Sequence, residues 1–452
     1  MVIAIWWIRR DLRLHDQTAL AAALRGADGV IPAFIIDPVL RRSSPRRWAF
    51  LMAALRDLDR ALRERGSYLV VREGPPLEAL GALMTETGAA FIFAEEDFTP
   101  YARQRDEVIA RQLPFHRMGF PTVRHPASLT KSDGTPYRVF SAFRKAWRDT
   151  TPLDAGSLRP PPVRIPTPPG IPSLPLPLKR GEGFEDFPPS EEEALRRLRA
   201  FTEGAEAPIY RYARDRHRLD REGSARLSPY LRFGMLSPRR AAIAAVQAME
   251  RAPDEEARRS ASAWLDELIW REFFITLLFH LPELVDRPLR PEHDRWREDP
   301  QALPAWAEGR TGYPLVDAAM RQLRATGWMP NRARLVVASF LTRILGVDWR
   351  VGARVFLEEL LDGDPAVNLG NWQWVAGVGT DYASGFRVFN PTTQARTWDP
   401  EGRYIRRWVP ELERVPIPYV HAPWTMPPEV QRSVGCRIGV DYPAPLMREA
   451  PA

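Results

Sequence analysis

The first 127 residues alternate between short apolar runs and longer segments in which apolar residues recur every three or four positions. The short runs are rich in β-branched and aromatic side chains, which is typical of buried strands, whereas the longer segments are typical of amphipathic helices. Such alternation indicates a parallel sheet covered by helices, which binds ligands beyond the carboxyl ends of its strands. We predict a Rossmann-like α/β domain with strands at Val2–Ile8, Val30–Ile36, Tyr68–Val71 and Phe91–Ala94, and helices at Thr18–Arg25, Arg46–Arg65, Leu77–Thr87 and Tyr101–Gln112.

The composition changes after this domain. The stretch from Arg159 to Leu178 reads RPPPVRIPTPPGIPSLPLPL, and proline at this density disfavours both helices and sheets. Ser190, which precedes a run of glutamates, is typical of a capping box that opens a helix. We predict an α/β domain over residues 1–127, a proline-rich linker over 128–200 and an all-α domain over 201–452. Amphipathic spacing predicts helices of the last part at Leu265–Leu278, Pro314–Arg324, Arg332–Leu345 and Val351–Leu361.

The composition also excludes several classes of protein. No apolar run approaches the roughly 18–20 residues that span a bilayer, and the segment after Met1 lacks the cleavage site of a signal peptide. We therefore expect a cytoplasmic protein with no membrane partner. The single cysteine, Cys436, excludes a disulfide framework and any multi-cysteine metal site.

The charge of the chain indicates an anionic partner. The formal net charge is +7 and the isoelectric point is about 9.7, so nucleic acid is the first candidate. Arginine supplies nearly all of this positive charge, because the lysines are only Lys131, Lys145 and Lys179. Since an arginine bias also accompanies genome composition and heat adaptation, the charge alone does not decide the partner.

The segment WLDELIWREFF, residues 264–274, combines an acid, an indole and a guanidinium. On a helix, Glu267 and Trp270 lie three positions apart and share one face, and Arg271 lies four positions from Glu267. This set can hold a planar ring by stacking and hydrogen bonds. The alternative is an ordinary ion pair of Glu267 with Arg271 beside a core tryptophan.

The segment GWMPNRARL, residues 327–335, indicates the start of a helix, because Pro330 suits a first helical turn. Arg332 and Arg334 would then lie in the first turn, where positive charge opposes the helix dipole. Arginines at such positions favour an anionic partner or a paired carboxylate. The alternative is a pair of solvated surface arginines.

The segment DGDPAVNLGNWQW, residues 362–374, contains two acids in a turn, Asp362 and Asp364. They are candidates for metal ligands, for an acid–base pair, or for acceptors of ring N–H groups, and the alternative is helix capping and core packing. Trp372 and Trp374 would lie on different faces of the following helix. None of the three segments contains a nucleophile–base pair or a metal-ligand set, so together they favour binding of a large planar molecule over hydrolysis.

Taken together and in this order, the motifs resemble those of the photolyase/cryptochrome flavoproteins, most closely the class I photolyases of cyclobutane pyrimidine dimers. The resemblance covers essentially the whole chain. It implies an α/β domain that binds an antenna chromophore and a helical domain that binds FAD and ultraviolet-damaged DNA. The segments that carry it are Trp7–Asp16, Ser224–Gly234, Trp264–Phe273, Thr311–Arg321 and Phe389–Gln394.

The resemblance implies a deoxyribodipyrimidine photo-lyase, a light-driven enzyme that uses no metal. An electron passes from excited reduced FAD to a dimer flipped out of the DNA, the ring splits, and the electron returns. Glu267 and Asn368 would act in this reaction, and Trp296, Trp349 and Trp372 would form a relay that photoreduces oxidised FAD. A monomer is expected.

By the same resemblance, hydroxyls line the FAD phosphates, Arg334 pairs with Asp362 beside the flavin ring, Asp364 accepts a ring N–H, and Asn368 faces flavin N5. The implied FAD contacts are Tyr212, Ser224, Ser228, Trp264, Glu267, Arg271, Asn331, Arg334, Asp362, Asp364 and Asn368. Trp270 and Trp374 would stack on the flipped dimer, and the arginines would contact the backbone. The implied DNA contacts are Arg216, Glu267, Trp270, Arg271, Asn331, Arg332, Leu335, Trp374 and Arg387.

Some positions depart from the family pattern. Pro330 stands where many members have histidine, and Leu335 where many dimer photolyases have methionine, a volume-conserving exchange. Residues 328–340 contain no histidine, which argues against repair of (6-4) photoproducts. Arg41 and Tyr101 stand where folate-binding members have histidine and glutamate. The antenna is therefore expected to be 8-hydroxy-5-deazaflavin or a second flavin rather than a folate.

Two other readings remain open. A cryptochrome-type blue-light photoreceptor would bind FAD without repairing DNA, and Asn368 argues against it because many signalling cryptochromes lack asparagine there. A structural nucleic-acid-binding protein that has lost its flavin would not need Arg334, Asp362 and Asp364.

Overall fold

Five parallel strands form the sheet that the alternating pattern predicts. The computed structural model describes residues 1–41, 44–150, 152–176, 184–297, 299, 301–380 and 388–447. The strand order is β3-β2-β1-β4-β5. Strands β2 and β3 are therefore added on one side of β1, and β4 and β5 on the other side. The strands are β1 (Ile3–Ile8), β2 (Gly29–Ile36), β3 (Val70–Glu73), β4 (Phe91–Ala94) and β5 (Phe115–Arg117).

The four predicted strands are confirmed, and β5 was not predicted. It has three residues, two of which are exposed, so it lacks the apolar run by which the other strands were recognised. The buried core under the sheet includes Ile5, Trp7 and Ile31 together with Leu80 and Leu83 of a covering helix.

Helices are the main secondary structure in the rest of the described chain. The helices predicted from amphipathic spacing are present, and most of their ends agree within a few residues, but α11 begins ten residues before the predicted start at Leu265. Those of the first part are α1 (Thr18–Gly26), α2 (Pro38–Arg41), α3 (Pro45–Arg63), α4 (Pro76–Thr87), α5 (Pro100–Gln112), α6 (Phe140–Arg148), α7 (Glu191–Thr202), α8 (Tyr212–Asp215), α9 (Ser228–Phe233), α10 (Pro238–Glu250) and α11 (Glu255–His280). Those of the second part are α12 (Ala302–Ala307), α13 (Pro314–Thr326), α14 (Asn331–Ser339), α15 (Trp349–Glu359), α16 (Pro365–Ala376), α17 (Pro391–Trp398), α18 (Arg403–Trp408), α19 (Ile417–Val420) and α20 (Pro428–Val434).

Local structure agrees with the sequence prediction at the start of α7 and differs from it at both ends of α14. The Ser190 hydroxyl accepts from the N–H of Glu193 at 3.1 Å, so the predicted cap opens α7. Pro330 precedes α14 as its cap residue rather than standing in its first turn. The predicted helix over 332–345 changes type within its length, because α14 ends at Ser339 and a π-helical turn follows at Phe340–Ile344.

The chain divides into two compact units. Unit 1 comprises Met1–Tyr210 and Ala225–Pro282, and unit 2 comprises Arg211–Ser224 and Glu283–Ala452. The unit boundaries differ from the domain boundaries predicted at residues 127 and 200. The difference arises because α11 packs against α10 and α6, and α10 packs against α7. Helices α6 and α7, within the predicted linker, and α10 and α11, after it, therefore belong to the unit that contains the sheet.

Unit 2 is built around an aromatic core. Trp306, Trp349 and Trp372 are at most 2% exposed and pack with Tyr313 and Phe340. Helices α13 to α16 contribute most of this core. They and the turns between them carry two of the three segments that the sequence singled out, 327–335 and 362–374. None of the helices in the described part of the chain is long and apolar enough to cross a membrane.

Candidate functional site

The centre of the candidate site in unit 2 is the pair of Arg334 and Asp362. Arg334 lies in the first turn of α14, and Asp362 lies in the turn between α15 and α16. The guanidinium donates to both carboxylate oxygens, at 3.0 and 2.7 Å, and its Nε donates to the carbonyl oxygen of Met329 at 3.0 Å. Of the alternatives for this arginine, the paired carboxylate is confirmed. Because the pair is bidentate, it fixes the turn that begins α16.

Asp364 and Asn368 follow on α16. Asp364 caps the helix by accepting from the N–H groups of Ala366 and Val367 at 3.0 and 3.3 Å. Asn368 lies one turn later, is 7% exposed, and donates from Nδ2 to the carbonyl oxygen of Ala353 at 2.9 Å. This bond to α15 fixes the orientation of a neutral amide inside unit 2.

A second group of side chains in unit 2 surrounds Arg332. Its Nη1 donates to Oε1 of Gln394 at 3.4 Å, and its guanidinium lies 5.2 Å from the ring of Trp398 and 5.6 Å from that of Phe389. Trp398 also donates to Gln394 Oε1, at 3.1 Å. The aromatic rings and Gln394 thus hold Arg332 in place and leave its positive charge without neutralisation by these partners.

The pKa of His217 responds to the positive charges of nearby arginines. Its ring lies 5.1 Å from the ring of Trp398. Burial, together with the positive charges of Arg332 and Arg216, lowers the pKa of His217 to about 3. Burial and the charge of Arg216 also lower the pKa of Arg332. The charge of Arg332, disfavoured in this way, would be stabilised by an anion such as a phosphate.

The three tryptophans of the expected relay all belong to unit 2. Trp349 begins α15, Trp372 lies on α16, and Trp296 lies in the segment before α12. A Cβ atom added to Gly352 would overlap the ring of Trp372. The absence of a side chain at Gly352 therefore lets Trp372 pack against α15, one turn after Trp349.

The remaining unit 2 predictions occupy varied positions. Asn331 is exposed as the first residue of α14, Leu335 and Trp374 are half-buried, and Tyr212 is buried with the Arg216 guanidinium 5.4 Å from its ring. Ser224 is half-buried and belongs to unit 2, whereas Ser228 is exposed and belongs to unit 1. Arg387 lies outside the described residues.

Helix α11 of unit 1 carries the other predicted residues. Trp264 is buried with its ring 5.4 Å from Phe201, and Glu267 is half-buried. Arg271 donates from Nη1 to the carbonyl oxygen of Pro121 at 2.8 Å. This bond ties α11 to the chain before α6, a contact that sequence spacing did not predict.

Trp270 has an aromatic neighbour that the sequence did not reveal. The ring of Phe140 lies 3.6 Å from that of Trp270 and nearly parallel to it, at 7°. One face of this indole is therefore covered within unit 1. The predicted stacking of Trp270 on a flipped base stays a prediction, and it requires the opposite face.

Comparison with known proteins identifies the family. A family model described as DNA photolyase matches residues 4–166, and one described as FAD binding domain of DNA photolyase matches residues 264–452. A deoxyribodipyrimidine photo-lyase of Thermus thermophilus is 42% identical over 410 residues, which cover 90% of this chain and 91% of that protein.

The chain belongs to the DNA photolyase family. It is a lyase and a flavoprotein of DNA repair, as the sequence motifs indicate.

Solved structures share its architecture. A class III photolyase from Agrobacterium tumefaciens has a TM-score of 0.90 at 33% identity, covering 99% of this chain and 94% of that chain. A cryptochrome from Synechocystis sp. PCC6803 has a TM-score of 0.87 at 30% identity, covering 98% and 96%. An archaeal photolyase from Sulfolobus tokodaii, solved with two FAD molecules, has a TM-score of 0.78 at 31% identity, covering 99% and 96%.

The donor and acceptor set of this photolyase family member fits FAD. The cofactor carries two phosphates and a flat ring with both N–H donors and carbonyl acceptors. Unit 2 supplies a guanidinium–carboxylate pair, the carboxylate of Asp364 and the buried amide of Asn368. Cations and hydroxyls suit the phosphates, and the amide and carboxylates suit the ring edge.

Sequence reasoning missed several residues of these groups. Phe140, His217, Gln394 and Trp398 were not singled out as site residues, because their roles come from neighbours far away in the chain. Gln394 lies in the segment Phe389–Gln394, which resembles the family, so this residue could have been recognised from the sequence. Asp294, which binds two of the relay indoles, stands two positions before Trp296 without any distinctive spacing.

Proposed function

We propose that this photolyase family member repairs cyclobutane pyrimidine dimers in DNA, in a light-driven reaction. Relatives named deoxyribodipyrimidine photo-lyase that match over nearly the whole chain support repair as the activity. The single observation that favours repair over light signalling is the buried neutral amide of Asn368, held by its bond to Ala353 at 2.9 Å. The missing histidine between residues 328 and 340 favours dimers over (6-4) photoproducts.

The residues of unit 2 support this chemistry by holding the cofactor. Bound FAD in its reduced form supplies the electron that light moves to the dimer. Arg334 and Asp362 fix the turn beside the ring, and Asp364 presents an acceptor at the start of α16. Asn368 offers a neutral polar group that does not repel negative charge, whereas a carboxylate at this position would.

The proposed DNA contacts combine stacking with phosphate binding. Trp374 would stack on the flipped dimer, and base stacking on an aromatic side chain contributes about 1–3 kcal/mol per base. This offsets much of the few kcal/mol needed to flip a damaged pair. Asn331 and Glu267 would hydrogen-bond the pyrimidine edges, and Arg332 and Arg216 would contact phosphates.

An illumination assay tests the proposal. Protein loaded with FAD and reduced is mixed with ultraviolet-irradiated oligothymidine and exposed to blue light, and the absorbance of intact thymine is followed. We expect recovery in the light and none in the dark. Absence of recovery from flavin-replete, reduced protein would overturn repair, and would favour the alternative of a blue-light photoreceptor that binds FAD without repairing DNA.

Two controls sharpen this assay. A substrate that contains only (6-4) photoproducts is expected to stay unrepaired. Asn331→Ala is expected to slow repair at limiting substrate, because it removes a contact to the dimer from an exposed helix start. Asn371→Ala is the matched control on α16, since the Asn371 side chain bonds to the carbonyl oxygen of Val367 at 2.8 Å within its own helix.

We also propose that unit 1 binds a flavin-type antenna rather than a folate. Arg41 pairs with Glu73 at 2.8 Å, and the Tyr101 hydroxyl donates to Asp37. These two positions, which in folate-binding members hold histidine and glutamate, are thus engaged with other side chains. Asp37, Glu96 and Asp97 follow β2 and β4, at the sheet edge where such folds bind ligands. The second FAD of the Sulfolobus tokodaii photolyase makes a second flavin a reasonable candidate here.

Chromophore extraction tests the antenna. Protein purified from a host that makes folates and deazaflavins is denatured, and the released pigments are separated by chromatography. We expect FAD together with 8-hydroxy-5-deazaflavin or a second flavin. Methenyltetrahydrofolate as the extra pigment would contradict the proposal.

A further inference from the structure

The three relay tryptophans of unit 2 differ in the hydrogen bond that the indole N–H group makes to a carboxylate. Trp372 is 2% exposed, and its indole N–H has no hydrogen-bond partner among the described residues. Trp349 is also buried, but its N–H donates to Oδ1 of Asp294 at 3.3 Å. Trp296 is half-buried, and its N–H donates to the same oxygen at 2.6 Å. The hydrogen bond to a carboxylate thus strengthens from Trp372 to Trp296.

Asp294 is held in this position by Arg350. The two guanidinium nitrogens of Arg350 lie 2.6 and 3.1 Å from the carboxylate oxygens of Asp294. Burial raises the pKa of Asp294, but the hydrogen bonds from Arg350 and from the indole of Trp296 outweigh it and hold that pKa below its ordinary value. Asp294 is therefore a carboxylate at neutral pH, and it keeps its negative charge beside both indoles.

Arg350 also distinguishes the two indoles. Its guanidinium carbon lies 4.8 Å from the ring centre of Trp349. A cation over an aromatic face is attracted to the neutral ring, but it repels a positive charge that appears on that ring. Arg350 therefore disfavours oxidised Trp349, while the shorter bond from Asp294 favours oxidised Trp296.

We propose that Asp294 and Arg350 together are positioning residues that draw the positive charge of the oxidised relay to Trp296. This inference rests on the proposed tryptophan relay. In the step concerned, the relay would give one electron to bound oxidised FAD under light, so that one positive charge stays on the indoles. An external thiol then returns one electron to Trp296 and releases its proton to water, and two of the resulting thiyl radicals combine into a disulfide. The indole N–H proton of Trp296 is not transferred to Asp294, because Arg350 keeps Asp294 a weak base.

The hydrogen bonds themselves can be tested without light. In protein labelled with ¹⁵N-tryptophan, the indole N–H signals of Trp296 and Trp349 are assigned with Trp296→Phe and Trp349→Phe. We expect Asp294→Asn to shift both signals upfield and to leave other indole signals in place. Asp348→Asn is the matched control, because Asp348 pairs with Arg350 at 3.2 Å and caps α15, and asparagine is an equally good cap. Unmoved signals in Asp294→Asn would overturn the proposed geometry.

Transient absorption then tests the consequence for charge separation. After a light pulse on oxidised holoprotein, we expect the oxidised tryptophan in Asp294→Asn to decay about tenfold faster than in the parent, because a charge-assisted hydrogen bond is lost. Asp348→Asn is expected to decay at the parent rate.

Trp296→Phe distinguishes failure of the relay assignment from failure of the proposed role of Asp294. If Trp296→Phe leaves photoreduction unchanged, the relay assignment fails. If Trp296→Phe abolishes long-lived charge separation but Asp294→Asn decays like the parent, the relay stands and the role of Asp294 is overturned.

Discussion

His217 shows how single side chains in this protein respond to their surroundings. Nothing in its sequence neighbourhood sets it apart, but Trp398 packs against it, and burial together with two arginines lowers its pKa to about 3. A histidine that is neutral when folded and has an ordinary pKa near 6.5 when unfolded links stability to pH. The sign follows from the lowered pKa: its contribution is complete above about pH 6.5 and is lost as the pH falls toward 3.

Replacement of His217 is expected to weaken the acid sensitivity of the fold. His217→Phe keeps a ring against Trp398 and removes the titrating group. The free energy of unfolding, measured by denaturant titration, should therefore fall less steeply between pH 6.5 and 4 than in the parent. His421, whose pKa burial also lowers, remains in both proteins. Parallel curves over this range would contradict the assignment.

Asn368 is the residue on which the choice of function depends most. Asn368→Asp is expected to place a negative charge beside the bound flavin ring and to replace the donor that binds Ala353. The negative charge disfavours added electrons, so the reduction potential of bound FAD should fall by tens of millivolts. Asn371→Asp, on the same helix, is the control and should shift it less. A redox titration that gives equal potentials for Asn368→Asp and the parent would contradict our account of this position.

At the scale of elements, helices are held together by buried groups whose partners lie far away in the chain. Glu272 on α11 accepts from the N–H groups of Val123 and Arg124 and from the indole N–H of Trp147 on α6. All three partners are donors, and a carboxylate can accept from all of them. This group joins α11 to α6 and to the chain before it.

Glu272→Gln tests that connection. A glutamine must turn its NH₂ group toward at least one of these donors, so we expect the free energy of unfolding to drop by about 1–3 kcal/mol. Glu250→Gln, at an exposed position at the end of α10, should change it by less than about 0.5 kcal/mol. A thermal or denaturant melt of each variant gives the comparison, and equal effects would refute the role of Glu272.

Gly352 on α15 is the position against which the ring of Trp372 on α16 packs. A Cβ atom there would overlap the ring of Trp372 and lie 2.6 Å from Leu341, so one of these side chains must move. Gly352→Ala is therefore expected to destabilise by about 1–3 kcal/mol through overpacking, although alanine favours helix more than glycine does. It should also change the fluorescence of Trp372, as measured against Trp372→Phe. A gain in stability would show that the contact relaxes without strain.

At the scale of the whole molecule, the net charge of +7 favours an anionic partner, but many of its arginines are paired. Arg403, for example, lies 2.7 Å from Glu401. Arg332 instead contacts an amide and aromatic rings. Total charge therefore indicates a nucleic-acid partner only weakly. Arginines without a carboxylate partner among the described residues, such as Arg332, are stronger evidence for binding to phosphates.

The salt dependence of DNA binding tests this distinction. Arg332→Gln is expected to weaken binding and to reduce the slope of log affinity against log salt by about 1, the amount for one lost phosphate contact. Arg403→Gln should leave the slope unchanged. Fluorescence anisotropy with damaged and undamaged duplexes provides both slopes. An unaltered slope in Arg332→Gln would remove it from the DNA contacts.

The sequence by itself determined the family and the helices and strands that have a clear apolar pattern. Strands β1 to β4 and the helices around Glu267 and Arg334 follow from apolar periodicity, which acts between residues close in the chain. Short β5 and the change to a π-helical turn at Phe340 did not follow, because neighbouring elements rather than local preference decide them.

Only the tertiary structure decided which partners these residues have. The covering of Trp270 by Phe140, the bond of Arg271 to Pro121, the low pKa of His217 and the position of Asp294 between two indoles all join distant parts of the chain. The sequence alone does not show which distant parts of the chain lie close together in space. Burial and charge, which set hydrogen-bond strength and pKa, arise only when packing brings them together.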